Sequence, residues 1–219
     1  MLKSQELHSA TEKNKQQKSK RQLALRRNIA QTSRWLHIYL SMVSFVIVLF
    51  FSVTGLTLNH ADYFAGELKT TTEKGKLNVA WVNASDTLRI AKLEVVEYLR
   101  KTNNVKGELS EFRIDDAECS LSFKGPGYGA DVFIDRSTGE YELSLMRAGA
   151  VAVLNDLHKG RDSGKAWAWV IDASAVLMTL VSLTGLILIL YIKRKRVSGL
   201  TWAVIGLLLC WLVYALWVK

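Results

Sequence analysis

Four side chains in this sequence have the type and spacing to do chemistry at a membrane: His37, His60, His158 and Asp172. His60 follows Asn59 at the end of one long apolar run, and His158 stands in a glycine-containing polar loop some eight residues ahead of another. If those runs are antiparallel helices, the two imidazoles sit at the same level. Two imidazoles converging from different helices can supply both axial ligands of a b-type haem, so His60 and His158 are the candidate metal ligands. Each also has a plainer reading as a snorkelling or capping residue at an interface. His37 cannot join that pair, because 23 residues of helix separate it from His60, about 35 Å. It binds haem with His37 of a second copy, in a homodimer, or it packs. Asp172 lies inside the second apolar run, where an unpaired carboxylate is costly, so a functional role is the default. Its candidate partners are Arg161, Lys165 and the imidazoles of His60 and His158, where it could fix the tautomer of a ligand. A structural ion pair near the interface is the alternative.

The elements that position these groups are membrane helices. From Ala166 the chain runs for about 26 largely apolar residues into the cations Lys193 to Arg196. That exceeds what is needed to cross a hydrocarbon core of roughly 30 Å, and Trp167, Trp169 and Tyr191 occupy interfacial positions. Trp35 to Leu58 forms an earlier span of 24 residues, about 36 Å, expected as a retained signal anchor. Leu200 to Val218 forms a later one. On the first span His37, Ser41, Ser44, Val48, Ser52, Gly55 and Asn59 fall within an arc of about 80° at 100° per residue. That stripe is a helix-packing surface, or the bed of a flat cofactor. A short repeat, SVTGL at 52–56 and SLTGL at 182–186, places small residues in the C-terminal third of both spans.

The 219 residues, 49% hydrophobic with one Pro, suffice for a few spans and one small soluble domain. The net charge of +9 does not imply nucleic acid. Residues 1–34 hold nine Lys or Arg against Glu6 and Glu12, whereas residues 60–165 hold 15 bases and 17 acids. Basic ends on apolar helices are the positive-inside pattern, which puts the N-terminus in the cytoplasm and the C-terminus outside. Cys119 and Cys210 cannot reach each other, and no nucleotide loop or hydrolase triad is present.

The expected organisation is a disordered basic cytoplasmic tail at 1–33 with a short basic helix near Arg21 to Arg27 and His8 solvated, then a first span at 34–60. An extracytoplasmic α+β domain follows at 61–165, then a second span at 166–192, a basic cytoplasmic loop at 193–199 and a third span at 200–218. Within the domain, Ser85 to Thr102 reads as one amphipathic helix, capped near Ser85 and Asp86, with Leu88, Ala91, Val95 and Leu99 at helical spacing. Period-two alternation then predicts about four antiparallel strands, around Glu111–Ile114, Cys119–Lys124, Val132–Ile134 and Tyr141–Leu145.

RWLHIYLSMVSFVIVLFFSVTGLTLNH, a small helix-and-strand domain, LNDLHKGRDSG, WVIDASAVLMTLVSLTGL and KRKR together resemble the PepSY-associated transmembrane helix family over roughly residues 33–196. The intervening segment is similar to a PepSY domain. The resemblance implies a bacterial inner-membrane protein. Some larger relatives are haem-containing reductases that pass electrons outward to ferric siderophores, and others accompany flavin-carrying extracytoplasmic proteins. The family's two histidine motifs match His37 and His158, and His60 belongs to the LNH variant. With fewer spans and histidines than those reductases, this chain is expected to be either a redox subunit passing electrons through haem b to an extracytoplasmic acceptor, or a non-enzymatic anchor whose domain binds or regulates a partner.

Overall fold

The computed structural model describes residues 2–218 except 65, 85 and 193, with side chains from Lys15 onward other than that of Thr87. Ser85, expected as a helix cap, Lys193 of the basic run and the side chain of His8 lie outside the described residues. The chain forms two compact units, residues 1–48 with 174–219, and residues 49–173.

Helix α1 (Leu2–Asn59) carries the first span. Its N-terminal part was expected to be disordered, and it is helical. The physical reason is local: residues 2–33 contain neither Gly nor Pro and are rich in Lys, Gln, Leu and Ala, so nothing breaks the helix as it leaves the apolar run. Helices α5 (Gly164–Tyr191) and α6 (Arg196–Trp217) are the other two segments long and apolar enough to cross a membrane. The loop expected at 193–199 is shorter, because α6 starts at Arg196 with Lys195 as its cap residue.

Packing positions on α1 differ from a straight 100° projection. Ser33, His37, Leu40, Ser44, Ile47, Phe51, Thr54 and Leu58 form one sheltered row, flanked by the half-buried Leu36, Ser41, Phe50, Gly55 and Thr57, whereas Val48, Ser52 and Asn59 are exposed. The sheltered positions recur every 3.5 residues, and an unsupercoiled projection drifts about 20° per heptad from such a seam. Three residues of the expected stripe are therefore displaced from the packing face.

In the second unit a short helix α2 (Ala61–Phe64) leads to strand β1 (Lys69–Lys76). Two 3₁₀ turns, Val79–Trp81 and Thr87–Arg89, precede helix α3 (Lys92–Asn103). Strands β2 (Glu108–Ile114), β3 (Glu118–Gly125), β4 (Tyr128–Asp135) and β5 (Glu140–Arg147) follow as a meander. Helix α4 (Ala150–Lys159) then leads to α5. The sheet is wholly antiparallel, in the order β1-β5-β4-β3-β2.

The α3 helix is shorter than the expected Ser85–Thr102. Asp86 accepts from the amide of Leu88 and so caps the second 3₁₀ turn, and Ile90 is extended, which breaks the helical path before Lys92. Strand β1, KTTTEKGK, has no apolar alternation to announce it, yet it pairs along its full length with β5. It is an edge strand, where lysines discourage further pairing.

The core lies on one face of the sheet. Cys119, Leu121, Phe123, Val132, Ile134 and Leu143 point towards Val95 and Leu99 of α3, and each is at most 2% exposed. Burying one such aliphatic side chain contributes about 1.5–3 kcal/mol.

Candidate functional site

His158 does not lie in the polar loop expected for it. It sits in the last turn of α4, and Gly160 closes that helix in the left-handed conformation, φ 68°. Its ring stands edge-on to Phe51, 4.9 Å between centroids, and its Nδ1 is 2.6 Å from the hydroxyl of Thr54. The proton can be assigned from the rest of the network. Thr54 has one hydroxyl hydrogen and donates it to the carbonyl of Phe50 at 2.6 Å. Its oxygen therefore accepts from His158, so Nδ1 carries the ring proton in the neutral imidazole and Nε2 keeps its lone pair.

The unit formed by residues 1–48 and 174–219 holds the same arrangement around His37. Its Nδ1 lies 3.1 Å from the carbonyl oxygen of Val181 and 3.2 Å from the hydroxyl of Thr184. A carbonyl can only accept, so this Nδ1 is also protonated. Thr184 in turn donates to Leu180 or Val181 of its own helix. A Cβ on Gly185 would stand 3.0 Å from the His37 Cε1, so any larger residue there would require the ring to give by a few tenths of an ångström. On the other motif, a Cβ on Gly55 would stand 3.6 Å from the His158 Cε1. Each TGL triplet thus supplies a threonine that accepts from an imidazole and a glycine against which the ring lies. A ligating histidine is ordinarily held in this way, with one ring nitrogen donating to an oxygen and the other left for the ligand.

The residues matched by the "Putative PepSY_TM-like" family model are 31–219, nearly all of the chain and both histidine sites. The chain belongs to the PepSY_TM-like family. No curated protein and no solved structure matches it.

The remaining sequence candidates in this PepSY_TM-like chain are placed as follows. Asn59 and His60 are exposed at the end of α1, with the ring of His60 6.2 Å from that of Tyr63. The structure draws no hydrogen bond or ring contact between His60 and His158. Asp172 is exposed on α5, on the same face as Ala175, Thr179 and Ser182, and it forms no ion pair with Arg161 or Lys165 among the described residues. Arg161 is exposed just beyond α4, with its backbone N–H donating to the Asp156 carbonyl. Among the described residues no group of three or more His, Cys, Asp or Glu side chains converges.

Sequence reasoning placed Gly55 on a possible cofactor stripe but passed over Thr54, Thr184 and Gly185 as site residues. The signal was present in the repeated TGL, which reads equally well as ordinary helix packing. It also missed α4, which bonds to α1, to the β3–β4 turn and to α5. Asn155 accepts from the hydroxyl of Thr57 at 2.7 Å, Asp156 accepts from the amide of Gly127 at 2.9 Å, and the Leu157 carbonyl accepts from the Trp167 indole at 2.7 Å.

Proposed function

We propose that this PepSY_TM-like chain is a redox subunit of the bacterial inner membrane. Its N-terminus is cytoplasmic, its sheet domain and C-terminus are extracytoplasmic, and it passes electrons to an extracytoplasmic acceptor such as a ferric siderophore or a flavin-carrying protein. The observation that carries this reading is the shared state of His158 and His37, each tethered through Nδ1–H with Nε2 left as a free donor. That donor chemistry fits one axial position of a b-type haem at each histidine. A haem bound there supplies reversible one-electron transfer. The chain's own part is to hold each ring at a fixed tautomer and angle, through Thr54 and Phe51 on one side and Thr184 and Val181 on the other. If haem is held at His158, a further ligand would come from His60 or from a second copy of the chain, and His60→Ala distinguishes the two. The orientation rests on the cations of residues 1–34 and of Arg194 to Arg196, which mark the cytoplasmic helix ends.

A second reading, a non-enzymatic anchor whose domain binds a partner, is favoured by the uncovered face of the sheet. Phe133 is 49% exposed there, beside a hollow of about 350 Å³ lined by Lys74, Glu118, Asp135 and Glu142.

The test is an absorbance spectrum of the full chain purified after expression with added haem precursor. The redox reading expects a reduced α band of the b type that is lost or turned high-spin in His158→Ala. Absence of any α band supports the anchor reading instead.

A further inference from the structure

Three arginines meet in one hollow of the unit formed by residues 1–48 and 174–219, where so far they have served only as cations at helix ends. Arg26 and Arg27 come from α1 and Arg196 from the start of α6, and they surround a cavity of about 440 Å³ together with Tyr191, Leu23 and Leu190. Among the described residues none of the three guanidinium groups has a carboxylate within ion-pair distance. Three like charges facing one cavity repel each other unless an anion lies between them, and the guanidinium fork matches the oxygens of a phosphate.

The rest of the lining narrows the choice of anion. Leu23 is 64% exposed and Leu190 43% exposed, so apolar surface adjoins the guanidinium groups. The cavity also lies where the apolar run of α5 ends, at Tyr191, a position suited to an aromatic at the headgroup level. A free phosphate would leave Leu23 and Leu190 without a partner, whereas a phospholipid brings acyl carbon to them and its phosphate to the arginines.

We infer that this hollow is a binding site for the phosphate of an anionic phospholipid, held by Arg26, Arg27 and Arg196 with its acyl chain along Leu23 and Leu190. The site is independent of haem. It requires only that α1, α5 and α6 lie in a bilayer, and it bears on how the basic end of the molecule is seated at the membrane surface.

The test titrates the full chain in neutral mixed micelles with fluorescent phosphatidylglycerol and compares two triple variants that lose the same charge. Arg26→Gln/Arg27→Gln/Arg196→Gln should weaken binding by about fivefold per arginine, on the order of 100-fold in all. Lys15→Gln/Lys18→Gln/Lys20→Gln should leave it within about twofold, since an exposed charge outside the site adds little. Phosphatidylcholine and millimolar inorganic phosphate should fail to displace the probe. Equal loss in both triples would reduce the site to general electrostatics and overturn the inference. Displacement by inorganic phosphate would overturn the lipid assignment in favour of a free anion, and circular dichroism of each variant establishes that the helices remain intact.

Discussion

At the scale of single residues, the chemistry of this protein is set less by its histidines than by what stands behind them. An imidazole with both nitrogens unheld samples two tautomers and many angles. Thr54 and Thr184 remove that freedom, because each has already spent its only hydrogen on a helix carbonyl and can act only as an acceptor. Thr54→Val should therefore shift His158 away from the Nδ1–H tautomer, while Thr54→Ser retains it. With only four histidines in the chain, selective ¹⁵N labelling resolves each ring by NMR, with or without cofactor. Unchanged nitrogen shifts in Thr54→Val would mean that Phe51 and α4 hold the ring alone. Gly185→Ala should disturb His37 and spare His158, since the added methyl meets only the former.

Among the secondary-structure elements, the β4–β5 connection is held by one carboxylate. Asp135 accepts from the Ser137 hydroxyl at 2.6 Å, from the Thr138 amide at 2.9 Å and from the Ser137 amide at 2.7 Å. Those bonds favour the charged form and hold its carboxyl below the usual range, the Ser137 hydroxyl contributing most. Because the folded value is the depressed one, the stability this turn contributes is present above the unfolded value of about 3.9 and is lost as pH falls through the folded value. Ser137→Ala should move the carboxyl midpoint of Asp135 upward in a ¹³C titration, and a midpoint that does not move would contradict the assignment. The same elements show where the sequence was readable. Cys119, Leu121 and Phe123 alternate with Ser120, Ser122 and Lys124, so β3 follows from periodicity, whereas in β4 Phe133 breaks the alternation between Val132 and Ile134 and the flanking turns mark the strand. Strand β1 has Thr and Lys where an alternating strand would have apolar residues, and it exists because β5 offers an unpaired edge. The amphipathic α4 was hidden between a strand and a span, so His158 was assigned to a loop and its tether to Thr54 could not be foreseen.

At the scale of the whole molecule, the proposed orientation rests on cations at the ends of three apolar helices. Side chains of α6 from Thr201 to Trp217 are exposed, Trp202, Leu207 and Trp217 each by more than two thirds, so lipid or another helix must cover them. Reporter fusions at Gly125 should behave as extracytoplasmic and fusions at Ser198 as cytoplasmic. The reverse result would place the sheet domain in the cytoplasm and remove every outward electron acceptor from consideration.

The hydroxyls of Thr54 and Thr57 bear on the order of events at the ribosome. About 90 residues separate α1 from α4, so the first span is synthesised and handed to the insertion machinery well before Asn155 and His158 exist. Were those hydroxyls dependent on α4, α1 would enter lipid with orphaned donors. Instead Thr54 bonds to Phe50 and Thr57 to the carbonyl of Thr54, within their own helix, at 2.6 and 2.9 Å. The helix arrives satisfied and waits. When α4 folds, it needs only to add an imidazole to one oxygen and to draw the Thr57 hydrogen towards Asn155, so the site is completed last, on a span that was stable without it.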